Sequence, residues 1–415
     1  MQRNALIVIA VVVVIIVAVG AYAAVVLTSS QTTSSTLPQT TSSSSQTSKS
    51  SQQIQQITVL NSIVVSPTLG EWYYIQNGGY LKQYGLNATV SSVVGTPTAV
   101  RAVVSGSVDM AFTSQDGLVA AVSTGVPLTG FFFWGNVQPF IIVTKNSITS
   151  YQGLIGQRLS ISGIGALLDQ LWTGILNQEN ISRSQVSLVN VGSSGTARLQ
   201  ALIAGSVDAV MVYPENWQAA LALNSSLTQN YHVLGSVGSF FPYWGIDAMV
   251  ARTDYVQAHP QIIQDVTDAL LNMTRQVQSN ESRFVQLAMQ SFTGYTTTEL
   301  QNTWQNLNAQ NFFSVNGGIN FGRVSQLINY TYSVGEAFSN NTYIHGPSSV
   351  VDTTFLHNAL NSMGVVNTSA DIPDWYTTST STSTSAITAL LGFMGVLLVV
   401  GLVRSEEVKF TVLRK

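Results

Sequence analysis

The stretch GTPTAVRAVVSGSVD, residues 95–109, returns in altered form as GTARLQALIAGSVD at residues 195–208. In both copies a glycine opens a helix-forming segment of about two to three turns, a second glycine ends it, and an apolar stretch follows. Each copy therefore predicts a helix followed by a buried strand. Two such units indicate two similar α/β lobes, and a cleft between two lobes is suited to a small-molecule receptor.

Apolar, strand-like runs alternate with helical patterns on both sides of the two copies, from residue 57 to about residue 251. This alternation predicts a mostly parallel sheet in each lobe. Residues 69–84 are expected to form one helix that ends at Gly85. Beyond Pro260 the spacing of apolar residues becomes helical. The helices expected there span residues 261–277, 282–291, 297–306 and 324–338.

Two long apolar runs lie near the ends of the chain. Residues 5–27 form an uncharged run of 23 residues, and residues 386–403 form a second run of 18, followed by a basic tail at 404–415. Both are long enough to span a bilayer, although the first is alternatively a cleaved leader and the second a buried helix. The flanking basic residues predict that both termini are cytoplasmic and that the portion between them is extracellular.

Polar, low-complexity sequence separates these runs from the middle of the chain. Residues 28–56 are rich in Ser, Thr and Gln, and residues 376–385 are mostly Ser and Thr. Such segments bury too little apolar surface to offset their chain entropy, so they are expected to be linkers. Eight Asn-x-Ser/Thr sequons favour a glycosylated surface protein. They begin at Asn87, Asn180, Asn224, Asn272, Asn280, Asn329, Asn340 and Asn367.

The composition excludes several classes of site. Charged residues make up only 8% of the chain, the net charge is −3, and no basic patch points to nucleic acid. The absence of cysteine excludes disulfides, thiolate metal sites and cysteine nucleophiles. The four histidines are scattered without the spacing of metal ligands. Neither a metal nor a cofactor is expected.

Five short motifs occur in a characteristic order. They are GYLKQYGL at 79–86, GSVDMA at 106–111, YQGLIGQRL at 151–159, GSVDAV at 205–210 and AHP at 258–260. Each motif alone is weak, but the order and spacing of all five carry information. Together they make the chain resemble the substrate-binding receptors of ABC importers for nitrate, sulfonates such as taurine, and thiamine-precursor pyrimidines.

The resemblance covers about residues 57–275 and implies the periplasmic-binding-protein type II fold, an α/β fold in which two lobes are joined by two hinge strands. By this resemblance, lobe 1 comprises residues 57–143 and 247–375, and lobe 2 comprises residues 144–246. The Ser/Thr stalks and the C-terminal span depart from the common bacterial form. They look more like archaeal receptors that are anchored in the membrane.

In this family, loops at the carboxyl ends of strands contact the ligand. Hydroxyls and backbone N–H groups at helix N-termini can bind anions without a cation, and Trp or Tyr can stack on a planar ligand. The resemblance implies the following ligand-binding positions: Ser66, Thr68, Thr96, Thr113, Ser114, Trp134, Asn136, Ser162, Gly163, Ser194, Thr196, Tyr213, Glu215 and Trp244.

Each of these positions also has a structural explanation. Ser and Thr at strand ends are common helix caps, and the tryptophans are equally suited to the core. Glu215 is expected either to bind a cationic group of the ligand or to cap a helix. Asp109 and Asp208, which end the two repeated stretches, are expected to close the turn into each strand.

The function expected from these observations is a membrane-tethered solute receptor that delivers a sulfonate, nitrate or heterocycle to an ABC importer by closure of its lobes. Its expected partners are the small-molecule ligand, the permease subunits of the transporter and membrane lipid. A surface structural or adhesion protein that uses the same fold without transport is the alternative. An enzyme is not expected, because the enzymes of this wider fold that were considered require cysteine, which the chain lacks.

Overall fold

The structure is a computed structural model that describes residues 54–62, 66–93, 95–164, 166–335, 337–340, 342–367 and 371–376. The expected spans at 5–27 and 386–403, the tail at 404–415 and nearly all of both linkers lie outside the described residues. Within the described ranges, no helix is both long and apolar enough to cross a membrane.

The strands of the described residues are β1 (Gln55–Asn61), β2 (Leu86–Ser92), β3 (Met110–Ser114), β4 (Leu128–Trp134), β5 (Ile141–Lys145), β6 (Arg158–Ile161), β7 (Ser187–Asn190), β8 (Ala209–Val212), β9 (Tyr231–Ser236) and β10 (Asp247–Arg252). The α-helices are α1 (Glu71–Asn77), α2 (Thr96–Val104), α3 (Gln115–Ser123), α4 (Leu167–Gln178), α5 (Gly195–Ile203), α6 (Pro214–Leu223), α7 (Thr253–Ala258), α8 (Pro260–Ser279), α9 (Glu281–Ser291), α10 (Thr297–Ala309), α11 (Phe321–Ser333) and α12 (Thr354–Met363). Short 3-10 helices include Leu81–Tyr84 and Tyr151–Leu154.

The strands form two five-stranded sheets with the same pattern. Sheet A has the order β2-β1-β3-β10-β4, and sheet B has the order β7-β6-β8-β5-β9. In each sheet the first three strands are parallel, whereas β10 and β5 run antiparallel to both of their neighbours. Four of the five strands of each sheet thus run in one direction, as expected, and one strand, β10 or β5, is reversed. Both sheets are mixed because β5 and β10 follow the two crossings of the chain between the lobes and enter each sheet in the opposite direction.

These crossings define the lobes. β5 pairs with β8 through residues 141–144 and with β9 along its whole length, so the expected lobe boundary at residues 143 and 144 falls inside a strand of sheet B. The chain leaves sheet A after Trp134 and returns to it at Asp247. Helices α8 to α12 follow the return, and α10 packs against α6 of lobe 2.

The repeated stretches form the expected helix–strand units. α2 leads into β3 and α5 leads into β8, with Gly106 and Gly205 at φ +73° and +74° in the intervening turns. Left-handed backbone favours glycine, which explains the second glycine of each repeat. Residues 69–84 form α1 and a 3-10 helix instead of the one expected helix. The helix is interrupted at Gly79, because the backbone there is left-handed. A Cβ at the neighbouring Gly78 would lie 2.2 Å from the Tyr80 ring, so this turn also requires glycine at position 78.

The aspartates that end the repeats fasten each strand to its neighbour, as expected for a structural role. Asp109 accepts hydrogen bonds from the backbone N–H and the hydroxyl of Thr58, both at 2.7 Å. Asp208 accepts from the backbone N–H and Nε of Arg158, both at 2.9 Å, and pairs with Lys145. The hydrogen bonds from Arg158 hold the pKa of Asp208 well below its usual range.

Candidate ligand-binding cleft

A cavity of about 790 Å³ lies between the two lobes. Lobe 1 lines it with Ser62 after β1, with Thr96 at the start of α2 and with Ser114 at the end of β3. Lobe 2 lines it with Ser162 after β6 and with the first turn of α4. Strand ends and helix N-termini from both lobes therefore face one space, which is where two-lobed α/β proteins bind small molecules.

The lobe 1 wall is held in place by local contacts. Ser114 is the N-cap of α3, and its hydroxyl accepts from the N–H of Gly117 at 3.3 Å and lies 3.1 Å from the hydroxyl of Thr96. A Cβ at Gly117 would lie 2.4 Å from the Thr96 methyl group, so glycine lets α2 and α3 approach each other here.

Three of the positions implied by the resemblance line this cavity: Thr96, Ser114 and Ser162. Gly163 directly follows Ser162, and Ser194 directly follows Ser193, which also lines the cavity. These residues are brought together from both lobes. Their contact with a ligand stays a prediction.

Other implied positions lie deeper, between the lobes. The hydroxyl of Thr68 donates to Oε2 of Glu215 at 2.6 Å, which links the loop after β1 to the first turn of α6. Ser66 lies beside the same carboxylate. Burial raises the pKa of Glu215, an effect that the hydroxyls of Ser66 and Thr68 oppose. Tyr213, the N-cap of α6, stacks on Phe140 with a centroid distance of 4.5 Å.

The remaining positions are not brought to the cavity. Trp134 and Trp244 are fully buried in aromatic clusters, and Thr113 is fully buried in β3. Asn136 is also buried, and its amide donates to the carbonyl of Phe313 at 3.0 Å. Thr196 lines a separate groove between α5 and α6, because the first turn of α5 packs directly against α6.

Sequence reasoning missed a buried polar cluster beside the cavity, formed by Asn61, Glu71, Trp72 and Asp247. We call these residues the inner cluster. All four side chains have less than 1% exposure. Asn61 pairs with Phe112 of β3, and Asp247 pairs with Ser114. Because paired residues and residues two apart along a strand share a face, Asn61 and Asp247 project from the same face of sheet A.

The carboxyl groups of the inner cluster have perturbed titration. Burial raises the pKa of Glu71 to about 8. Burial raises the pKa of Asp247 well above its usual range, and the charges of Glu71 and Asp116 add to that effect. One sequence signal could have revealed Asp247, since it is the one charged residue in the expected apolar strand 244–251.

Comparisons with known proteins support the fold. No curated protein matches the chain in sequence. Among solved structures, the alkanesulfonate-binding protein SsuA from Xanthomonas axonopodis pv. citri, bound to MOPS, is similar with a TM-score of 0.54 at 16% identity, covering 72% of this chain and 98% of that one. The periplasmic aliphatic sulphonate binding protein SsuA from Escherichia coli is similar with a TM-score of 0.54 at 14% identity, covering 69% and 95%.

An enzyme shares the fold as well. DszB in complex with biphenyl-2-sulfinic acid is similar with a TM-score of 0.52 at 14% identity, covering 74% of this chain and 99% of that one. At identities this low, structural similarity establishes the fold alone. The shared fold is that of the periplasmic binding proteins. The similar proteins are mostly binding proteins. The family model described as "NMT1/THI5 like" matches residues 66–280, which is more than half of the chain. The chain therefore belongs to the NMT1/THI5-like family.

Proposed function

We propose that this protein is a solute-binding receptor that closes its two lobes around a small molecule and delivers it to an ABC importer. The observation that carries the proposal is the cavity of about 790 Å³ that strand ends and helix N-termini of both lobes line together. A ligand in contact with both lobes stabilises the closed arrangement over an open one, which is how binding is converted into a change of shape.

Direct hydrogen bonds between the lobes support closure as the working motion. Besides the bond from Thr68 to Glu215, the hydroxyl of Tyr330 donates to the carbonyl of Gln170 at 2.9 Å, and the hydroxyl of Ser236 donates to Oε1 of Gln310 at 2.6 Å. Each is a polar contact that water can replace, so the closed arrangement can open at modest cost.

The proposed ligand contacts are the predicted positions that line the cavity, Thr96, Ser114 and Ser162, with Gly163 and Ser194 beside them. The permease subunits of an importer are the proposed partners, and membrane tethering by residues 5–27 and 386–403 is proposed from the sequence alone. The tether would keep the cleft outside the cell, where such a receptor meets its solute.

Closure can be measured directly because the chain has no cysteine. Ser91 and Asn190 lie exposed at the carboxyl ends of the edge strands β2 and β7, one in each lobe. We propose spin labels on the double variant Ser91→Cys/Asn190→Cys in the full chain, purified in a mild detergent. A panel of sulfonates, nitrate, heterocycles and amines would first be screened by thermal shift, since a bound ligand raises the melting temperature.

A compound that raises the melting temperature should also shorten the distance between the labels. A stabilising ligand that leaves this distance unchanged would contradict lobe closure. A folded protein that no member of the panel stabilises would favour the adhesion alternative.

A further inference from the structure

The inner cluster points to the charge of the ligand. We infer that the cleft receives a small organic cation with N–H donors, such as an amidinium or a guanidinium, and that Glu71 and Asp247 bind it. This inference rests on the proposed receptor function and specifies its ligand class. It departs from the anions expected for sulfonate and nitrate receptors.

The geometry places both carboxyl groups on one side of sheet A. Asp247 and Asn61 share a face with Phe112 of β3, as their register requires. The Trp72 ring contacts Phe112 edge-on, with centroids 5.9 Å apart, which puts the start of α1 on that face. Glu71 immediately precedes Trp72, and its charge acts on Asp247. Two elements that are distant in sequence thus bring two carboxyl groups together.

No described residue supplies a countercharge to these carboxyl groups. Neither Glu71 nor Asp247 forms an ion pair with any described residue, whereas Asp169, Asp208 and Asp254 each do. Burying a carboxylate without a cation is costly, so a fold does not gain stability from this arrangement. A ligand that supplies the positive charge would remove the cost.

Unpartnered hydrogen-bonding atoms provide an independent indication of a ligand. Both carboxylate oxygens of Glu71 and of Asp247, both amide atoms of Asn61 and Nε1 of Trp72 have no partner in any other described residue. Among the described groups, the Glu71 carboxylate has a hydrogen-bond interaction only with the backbone N–H of Glu71 itself. Buried polar groups are almost always hydrogen-bonded. Most of these atoms are acceptors, which suits a ligand with several N–H groups.

The inner cluster adjoins the cavity. Ser62, which lines the cavity, directly follows Asn61, and Ser114, which also lines it, is the ladder partner of Asp247. Asp116 lines the cavity too, and its charge acts on Asp247. None of the four inner-cluster side chains lines the cavity itself. The proposal places the bound ligand behind Ser62 and Ser114, where it reaches Glu71 and Asp247.

A protonated carboxyl group could instead donate to an anion, and pH separates the two cases. A cation requires the ionised carboxylates, so its affinity rises with pH until they are ionised. An anion requires the protonated groups, so its affinity falls over the same range. The titratable groups that interact electrostatically with Glu71 or Asp247 are Asp116, Tyr74 and Tyr213. The next groups out, which act on the two tyrosines, are Glu215, Tyr295 and Arg198.

The test compares probes of one shape and opposite charge by isothermal titration of the full chain in detergent. Benzamidinium is compared with benzoate and benzenesulfonate at pH 6, 7.5 and 9. Benzamidinium keeps its charge over this range, so the protein alone sets the trend. We expect benzamidinium to bind, at least tenfold more tightly at pH 9 than at pH 6, and the two anions not to bind.

Amide variants identify the groups. Glu71→Gln and Asp247→Asn keep the size and remove the charge, and each should weaken benzamidinium binding at pH 9 at least tenfold. Asp265→Asn, on α8 outside the cleft, is the matched control and should bind like the original protein. Melting temperatures of all variants show that they fold.

Binding of either anion in place of benzamidinium, or benzamidinium affinity that both amide variants leave unchanged, would overturn the inference. Spin labels on Ser91→Cys/Asn190→Cys distinguish this failure from failure of the receptor function. Closure with an anion would keep the receptor and reject the cation, whereas no closure with any probe would count against both.

Discussion

Asp208 immediately precedes β8 of sheet B and Asp247 begins β10 of sheet A, yet the surroundings of these two aspartates are opposite. Asp208, 5% exposed, has two cations and a backbone N–H around its carboxylate, and its pKa is depressed. Asp247, fully buried, forms no ion pair with a residue that the structure describes, and burial raises its pKa. The first carboxylate is satisfied by the fold. The carboxylate of Asp247 is available to a ligand, and this difference separates a structural aspartate from a candidate binding residue.

The same substitution at both positions should therefore have opposite effects on stability. Asp208→Asn is expected to lower the unfolding free energy by about 2 kcal/mol, because it removes the charge that Lys145 and Arg158 face and weakens the tie between β6 and β8. Urea denaturation of the full chain at pH 7 measures it. A loss below about 0.5 kcal/mol, as for an ordinary surface change, would contradict the structural role.

Asp247→Asn should raise the unfolding free energy by about 1–2 kcal/mol at a pH high enough to ionise the Asp247 carboxyl group, since it then removes an uncompensated buried charge. Glu71→Gln should act in the same direction. The same denaturation assay applies, without ligand. A loss as large as that of Asp208→Asn would mean that Asp247 has a structural partner, and the contrast between the two aspartates would fail.

The pH dependence of stability should follow the inner cluster. The folded-state pKa of Glu71, about 8, lies above its ordinary value of 4.5. Its contribution is most favourable below the ordinary value and is lost as the pH rises through 8. Asp208 has a depressed pKa, so its contribution is constant over this range and is lost only in stronger acid.

We therefore expect the unfolding free energy to fall by about 3 kcal/mol between pH 5 and pH 8. The double variant Glu71→Gln/Asp247→Asn should show a smaller fall. Thermal denaturation at pH 5, 6.5 and 8 measures this. An unliganded protein that becomes more stable over that range would contradict the raised pKa values.

Asp109 ends the first repeated stretch and can be compared directly with Asp208, which ends the second. Asp109 accepts hydrogen bonds from Thr58 as Asp208 accepts them from Arg158, but both groups of Thr58 that donate are neutral. Asp109→Asn should cost about 0.5–1 kcal/mol, less than Asp208→Asn, because an amide oxygen can keep one of the two hydrogen bonds. A cost equal to that of Asp208→Asn in the same urea assay would show that the cations of lobe 2 add nothing.

The architecture of each lobe could be predicted because it is encoded locally. The repeated stretches at 95–109 and 195–208 contain the glycine that starts each helix unit, the glycine that ends it and the apolar strand that follows. The direction of β5 and β10 could not be predicted in this way. It depends on where the chain crosses between lobes, which leaves no periodic signal in the strands themselves.

The site was predictable only in part, for a similar reason. Thr96, Ser114 and Ser162 could be located because strand ends and helix starts can be read from the sequence. Glu71 and Asp247 could not, because their significance comes from burial and from the lack of a countercharge. Both properties depend on residues far away in the chain. Asp247 within an apolar run was the one local indication.

The most direct test of this account is the distance between spin labels at Ser91→Cys and Asn190→Cys, measured with benzamidinium and with benzoate at pH 9. We predict that benzamidinium shortens the distance between the labels and that benzoate leaves it unchanged. Shortening by benzoate alone, or no shortening by a saturating concentration of benzamidinium, would contradict a receptor that closes on a cation.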